Sequence, residues 1–404
     1  MILGTARSSN NETPRLGGMR GAPAMSFIAP PPDGFEATLT SEIQRFYNEF
    51  QNHQAGTAIR GLERAYQQLS FWAEAVANAR IEGHDVEIDE LARASVSRYG
   101  NVPQAIKAAS NLGRASNYIS SMYRPALPLA ERASDPAFVS NLHHVAMSDG
   151  LLPADDLGRY RSHPAQVNDH RIGRPANRVA LPEEIGPWMQ QWSQAYDAKA
   201  WVSRHPVLRA AAAHASFEQI HPYRDGNGRV GRLLIDSMLA EDGMPALPIS
   251  AAIERQHPAY HAALTDTIKT GDHAPFARFL FDRATQAIRD VRTGVRDLKT
   301  VMGDLETAMA KHTRLEDRDR RLVAIAFCGM PVSLPGILTR QSGVEVERVR
   351  AGLIGMERAG AIKQRHILGK SVYVNTKALD LLNRATQRQE PRGREGDCLA
   401  EPGA

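Results

Sequence analysis

The chain has 404 residues, 42% hydrophobic and 23% charged, with 49 basic against 45 acidic side chains and a formal charge of +4. Those proportions suit an ordinary globular protein with room for two or three domains. They exclude a chain that holds nucleic acid by net charge alone, while leaving a local basic face open. The two cysteines, Cys328 and Cys398, have no metal-like spacing and form no disulfide framework. The N-terminal stretch lacks the continuous apolar core of a signal peptide, and no segment is apolar enough to span a bilayer. The expected setting is soluble and cytoplasmic, with no membrane partner.

Residues 1–34 are rich in Gly, Pro, Ser and Asn and end in "APPPDG", which predicts a disordered leader. Residues 35–125 form an N-terminal helical region. "SEIQRFYNEFQNHQ", "TAIRGLERAYQQLSFWAEAVANARIEG" and "VPQAIKAASNLGRASNYISSM" repeat apolar residues at spacings of three and four. A second helical region, residues 126–290, contains "HPVLRAAAAHASFEQI", "RLLIDSMLAEDG" and "PAYHAALTDTIKT". It is interrupted by "AQVNDHRIGRPANRVALPEE", whose β-branched patches flank a Gly-Arg-Pro turn and predict a small exposed hairpin. Trp72, Trp188, Trp192 and Trp201 occupy apolar helical positions and read as core, and His214 reads as a packing or surface group.

An amphipathic linker helix is expected over residues 291–315, and a helix-turn-helix with a terminal hairpin over 316–386, a winged-helix plan. There Arg348, Arg350, Lys363, Arg365, His366 and Lys370 could meet phosphates if the Glu345–Met356 helix entered a major groove. Glu345 and Glu347 on that helix oppose DNA, so DNA and protein partners both stay open at this module. Residues 387–404 read as a disordered tail. The fold class is therefore mainly α.

The densest chemistry is "HPYRDGNGRVGR", His221–Arg232. It is not a P-loop, because Arg232 and Leu233 stand where Lys and Ser/Thr belong and a helical run precedes it. It is not a calcium loop, because Arg229 and Val230 occupy positions needing an oxygen ligand and a glycine. It fits an anion site at a helix start. Gly226 and Gly228 allow close approach of a phosphate to the backbone, and the free N–H groups near Asn227 face it. Arg229 and Arg232 share a helix face and can grip successive phosphates. Asp225 makes electrostatic sense beside phosphates as a ligand of a bridging Mg²⁺. His221 could take the proton of an attacking hydroxyl. The alternative, a glycine-rich turn with solvated arginines, suits any one of these residues better than it suits all twelve together.

The same twelve residues resemble the signature of Fic-domain proteins: His, any residue, an aromatic, any residue, Asp or Glu, Gly-Asn-Gly-Arg, two variable residues, Arg. Tyr223 replaces the usual Phe, and the likeness extends over roughly residues 35–290. The resemblance implies an all-helical Fic core with a β-hairpin flap, and transfer of AMP from ATP to a Ser, Thr or Tyr hydroxyl of a target protein. It implies His221 as base, Asp225 on Mg²⁺, Gly226, Asn227 and Gly228 as anion hole, and Arg229 and Arg232 on the outer phosphates. Gly228 stands where a phosphorylating subgroup has Lys, which argues against kinase chemistry. It also implies that Tyr260 lines the adenine pocket and that the Arg171–Val179 hairpin pins the target by strand addition.

Upstream, "NARIEG" is similar to the family's inhibitory helix motif, with Asn78 for the usual Ser or Thr. That implies auto-inhibition by Glu82 against Arg232, which would neutralise the cation that the γ-phosphate needs. The alternative for Glu82 is an ordinary helix-end acid. Two other functions remain open: removal of AMP, with Glu82 orienting a water, and a DNA-binding regulator whose core is a sensor. A homo-oligomer is compatible with all three.

Overall fold

The computed structural model describes residues 27–56, 61–96, 102–122, 132–148, 150, 152–169, 174–367 and 370–386. Its centre is the alanine-rich helix α7 (Pro206–Ile220), buried from Val207 through Phe217 on every side. A helix this apolar all round must be enclosed by others, and its small side chains let them come close. Its partner α8 (Asn227–Glu241) returns antiparallel after the His221–Gly226 turn. Arg209 on α7, fully buried, locks the far ends together by bonding Asp242 (2.9 Å), Glu241 and the Tyr196 carbonyl.

Around this pair the N-terminal region contributes α1 (Thr40–Gly56), α2 (Leu62–Ile81), α3 (Ile88–Val96) and α4 (Gln104–Met122). Next come α5 (Pro136–Met147), capped by Asp135, and α6 (Pro182–Ala195). Between them lies the hairpin β1 (Gln166–Asp169) and β2 (Arg174–Arg178), antiparallel with Gln166 opposite Arg178 and a register shift after Val167. Of the expected flap, Arg171–Gly173 at the tip fall outside the described residues. Then follow α9 (Ile249–Glu254) and α10 (His257–Thr270). Trp192 and Trp201 are buried, and Trp72 and Trp188 pack against the core, as their spacing predicts.

The expected linker over 291–315 is corrected: it is the second half of one 39-residue helix, α11 (Ala274–His312). Phe276, Leu280, Phe281, Ala284 and Ile288 continue the same buried stripe, so nothing ends the helix where the linker was expected to begin. The leader is also corrected at its end. Phe27 and Ile28 are buried, the Ile28 N–H donates to Gln219 Oε1 (2.9 Å), and Arg204 holds the Pro31 carbonyl (2.8 Å). Residues 1–26 of the leader and all of the 387–404 tail lie outside the described residues.

The C-terminal part runs α12 (Asp317–Gly329), β3 (Val332–Ser333), α13 (Pro335–Ser342), α14 (Val346–Arg358), β4 (Lys363–Ile367), β5 (Lys370–Val374) and α15 (Thr376–Thr386). The expected helix pair and hairpin are present, joined by a short third strand in an antiparallel sheet of order β3-β5-β4. This part packs on α2 and α11 and shares their hydrophobic core. At the crossing of α12 with α2, a Cβ on Gly329 would stand 3.1 Å from Ala65 Cα, so a larger residue there would push the two helices apart by a few tenths of an ångström.

Candidate active site

α7 ends at His221, which adopts a left-handed conformation (φ 52°), the one positive φ outside glycine among the described residues. That geometry is unfavourable for a residue with a Cβ, and here it turns the chain into the motif loop. His221 is a fifth exposed, and its Nδ1 lies 3.7 Å from Glu218 Oε2 one turn back on α7. Glu218 is buried. Burial would raise its carboxyl, but the His221 contact and the charges of His214, His221 and Arg232 outweigh that and hold it below the usual range.

Tyr223 is buried beneath the loop and stacks on His143 with ring centres 3.9 Å apart. Asn227 does not offer its side chain to an anion here. Its Oδ1 accepts from the Tyr223 N–H and its Nδ2 donates to the Tyr223 carbonyl, both at 2.8 Å, bracing the turn. What remains for a ligand is backbone: the first N–H groups of α8 have no acceptor within the helix. Gly226 (φ 83°) belongs to this nest because a side chain there would collide with Met147.

Asp225 lies at the surface end, its side chain 48% exposed, accepting from the Gly226 N–H (2.6 Å) and from Arg229 (3.0 Å). Arg229 is almost wholly buried and Arg232 is 1% exposed. Arg232 donates through Nε to Asn78 Oδ1 (2.8 Å) and through one terminal nitrogen to Glu82 Oε1 (2.7 Å) and the Asn78 carbonyl (3.4 Å). Burial alone would lower the guanidinium's pKa, and the Glu82 charge more than reverses that; Glu82 in turn is held below the usual carboxylate range by Arg232, against the effect of burial. Asn78 also donates to the Arg229 carbonyl at 3.3 Å. Glu82 covers Gly228, where an added Cβ would lie 2.6 Å from its Oε1 and 3.2 Å from Arg232.

Tyr260, expected to line the adenine pocket, lies beneath the site with Arg232 next to its hydroxyl. Its ring is 1% exposed, packed against Phe276 and Phe279, and its hydroxyl meets His214 Nε2 at 2.9 Å. His214 is likewise an inner group, next to Gly231 and Glu218, not a surface one.

Residues 134–239 match the sequence model of the Fic/DOC family. The chain carries a Fic domain. Among curated relatives of that domain, "Protein adenylyltransferase Fic" of Aedes aegypti is 31% identical over 125 residues, 31% of this chain and 23% of the relative. The protein of the same name in Drosophila erecta is 30% identical over 144 residues, 36% of this chain and 26% of the relative. The matched stretch thus spans about a quarter of each relative. The fold is shared with a Fic family protein of Desulfovibrio desulfuricans G20 (TM-score 0.52, 19% identity), covering 85% of this chain and 97% of that one. It is also shared with Fic-1 of C. elegans (TM-score 0.52, 16% identity), covering 65% of this chain and 75% of that one.

The Fic domain contains two further residues that the motif alone does not reveal. Glu218 lies against the imidazole, and His143 pins the loop. The Gly158 N–H donates to His143 Nδ1 (2.8 Å), so the proton sits on Nε2, which donates to the Asp225 carbonyl (3.0 Å). Burial pushes His143 down to about 4 and keeps it in that neutral form. Among the described residues no helix is long and apolar enough to cross a membrane.

Proposed function

We propose that this protein is a protein adenylyltransferase, held inactive by Glu82. The observation that carries the reading is the buried Arg232 guanidinium facing Glu82 Oε1 at 2.7 Å directly above Gly228. A buried cation needs compensating negative charge, and a carboxylate or phosphate supplies it most directly. In the resting protein that anion is Glu82; with nucleotide bound, a terminal phosphate would take its place. Arg229 and the N–H groups opening α8 would hold the neighbouring phosphates.

In the reaction, the target hydroxyl oxygen bonds to the α-phosphorus of ATP. The bond from that phosphorus to the oxygen bridging to the β-phosphate breaks, and pyrophosphate leaves. The hydroxyl proton goes to His221 Nε2, because Nδ1 faces Glu218. Asp225 would hold Mg²⁺. Among the described residues no cluster of three or more His, Cys, Asp or Glu could hold a metal unaided. One half-exposed carboxylate completed by phosphate oxygens is a donor set that suits this ion. When bound, Mg²⁺ would neutralise charge on the phosphates. The β1–β2 hairpin would receive the target as an added strand.

The test is incubation with labelled ATP and Mg²⁺, comparing the parent, Glu82→Gly and His221→Ala. Strong labelling of protein by Glu82→Gly and none by His221→Ala is expected. Absence of labelling by Glu82→Gly overturns the reading.

For the C-terminal part we propose a winged helix that docks a protein and not DNA. Arg348 is bound to Asp319 (2.7 Å) and Glu316 (3.3 Å) on and beside α12, and Arg350 lies 3.8 Å from Glu347. Two of the basic groups on the groove-facing helix are thereby engaged with acids. Salt-dependent binding of a duplex by the full chain would overturn this.

A further inference from the structure

Arg161 precedes β1, outside the motif, and is 7% exposed. Its side chain donates to carbonyls in three directions. Nε bonds the His221 carbonyl (2.8 Å), one terminal nitrogen the His163 carbonyl (2.9 Å), and the other the Ala180 (2.5 Å) and Ile220 (3.5 Å) carbonyls. Its own N–H donates to the Pro222 carbonyl (2.9 Å). Among the described residues no carboxylate pairs with it, and burial accordingly lowers its pKa. The negative end of α7, where Ile220 and His221 leave carbonyls unbonded within the helix, supplies the compensation.

His163 stands just before β1 and Ala180 just after β2, so these are the two feet of the hairpin. The Ile220, His221 and Pro222 carbonyls belong to the turn that carries the imidazole. We propose that Arg161 is the positioning residue that ties the His221 backbone to both feet of the hairpin, so that the base and the edge receiving the target are set by one guanidinium. His221 needs such support, since its left-handed conformation costs about 1–2 kcal/mol and persists only where surrounding contacts enforce it. Only a planar group with donors on three sides can reach these carbonyls at once. This role rests on the transferase reading. Arg161 bonds none of residues 225–232, so nucleotide binding is predicted to be independent of it.

The test compares Glu82→Gly with the double variants Glu82→Gly/Arg161→Gln and Glu82→Gly/Arg161→Lys. Self-labelling rates are measured against ATP concentration, binding of Mg-ATP by calorimetry, and backbone hydrogen exchange on the same preparations. With Arg161→Gln, kcat for labelling falls about 100-fold, the penalty of displacing a reacting group by roughly 1 Å, while ATP affinity stays within about twofold. Arg161→Lys keeps the charge but can satisfy only part of the set, and it recovers about tenfold of the loss. Exchange rises together at residues 163–169, 174–180 and 221–223 and nowhere else. Labelling by Arg161→Gln within about threefold of its parent overturns the proposal, as does parallel loss of ATP affinity, which would mean general structural damage. If Glu82→Gly itself does not label, the transferase reading fails, and the exchange pattern alone then decides whether Arg161 joins turn to hairpin.

Discussion

Glu82 and Arg232 lie 150 residues apart in the chain and meet at 2.7 Å, with Asn78 accepting from the neighbouring Nε and sharing the same terminal nitrogen. A charge-assisted hydrogen bond in a buried setting stabilises by about 1.5–3 kcal/mol, so removing it should shift a closed-to-open equilibrium by roughly 10- to 100-fold. Glu82→Gly should therefore raise the labelling rate by that factor and tighten binding of ATP. Calorimetry with Mg-ATP on both forms checks this, and equal affinity would mean that the acid does not compete with a phosphate.

Asn78, one turn before Glu82 on α2, reaches both buried arginines of the motif helix. Its amide oxygen takes the Arg232 Nε–H and its nitrogen reaches the Arg229 carbonyl. Asn78→Ala should lower stability by about 1–3 kcal/mol, because a buried guanidinium N–H loses its acceptor. It should raise labelling by less than Glu82→Gly does, since the carboxylate remains. Asn78→Ala matching Glu82→Gly in labelling rate would put the inhibitory contact on the wrong residue.

The motif could be read from sequence because its members are contiguous: one helix start sets the relative positions of Asp225, Gly226, Gly228, Arg229 and Arg232. Glu82 was legible only through resemblance, as a helix-end acid announces no partner. Glu218, His143 and Arg161 left no trace, for each acts through packing between elements distant in the chain, and a single His or Arg has no periodicity. The full length of α11 is not legible in the sequence because its core-facing stripe runs past Val291 with no helix-ending signal. The burial of Phe27 and Ile28 is not legible either, because two apolar residues cannot outweigh a Pro- and Gly-rich background.

Two glycines should respond in opposite directions. At Gly231 a Cβ would lie 2.5 Å from Glu218 Oε1, a buried atom, and 2.8 Å from the buried His214 ring. Gly231→Ala should destabilise by about 1–3 kcal/mol and depress labelling by pushing Glu218 off His221. Gly303, mid-helix on α11, has nothing within 4 Å of its added Cβ, so Gly303→Ala should stabilise by about 0.5–1 kcal/mol. Urea titrations of both variants check the pair, and the same sign for both would contradict the packing described.

His205 makes the stability depend on pH. It caps α7 by accepting the Val207 N–H at Nδ1 (3.1 Å), and its ring sits among Phe46, Tyr47 and Phe281. Burial, opposed only by Glu36, pushes its pKa down to about 4 from 6.5. Folding therefore favours the neutral ring, and this contribution is fully present above pH 6.5. It is lost as pH falls toward about 4, below which both states are protonated. The full shift corresponds to at most about 3 kcal/mol. His205→Asn keeps an oxygen that can cap α7 but has no titrating group. Its urea midpoint should decline less than the parent's between pH 7 and 4, whatever its absolute stability, because the other buried histidines contribute equally to both slopes. Parallel declines would show that His205 already carries its proton in the folded protein or remains neutral in the unfolded one.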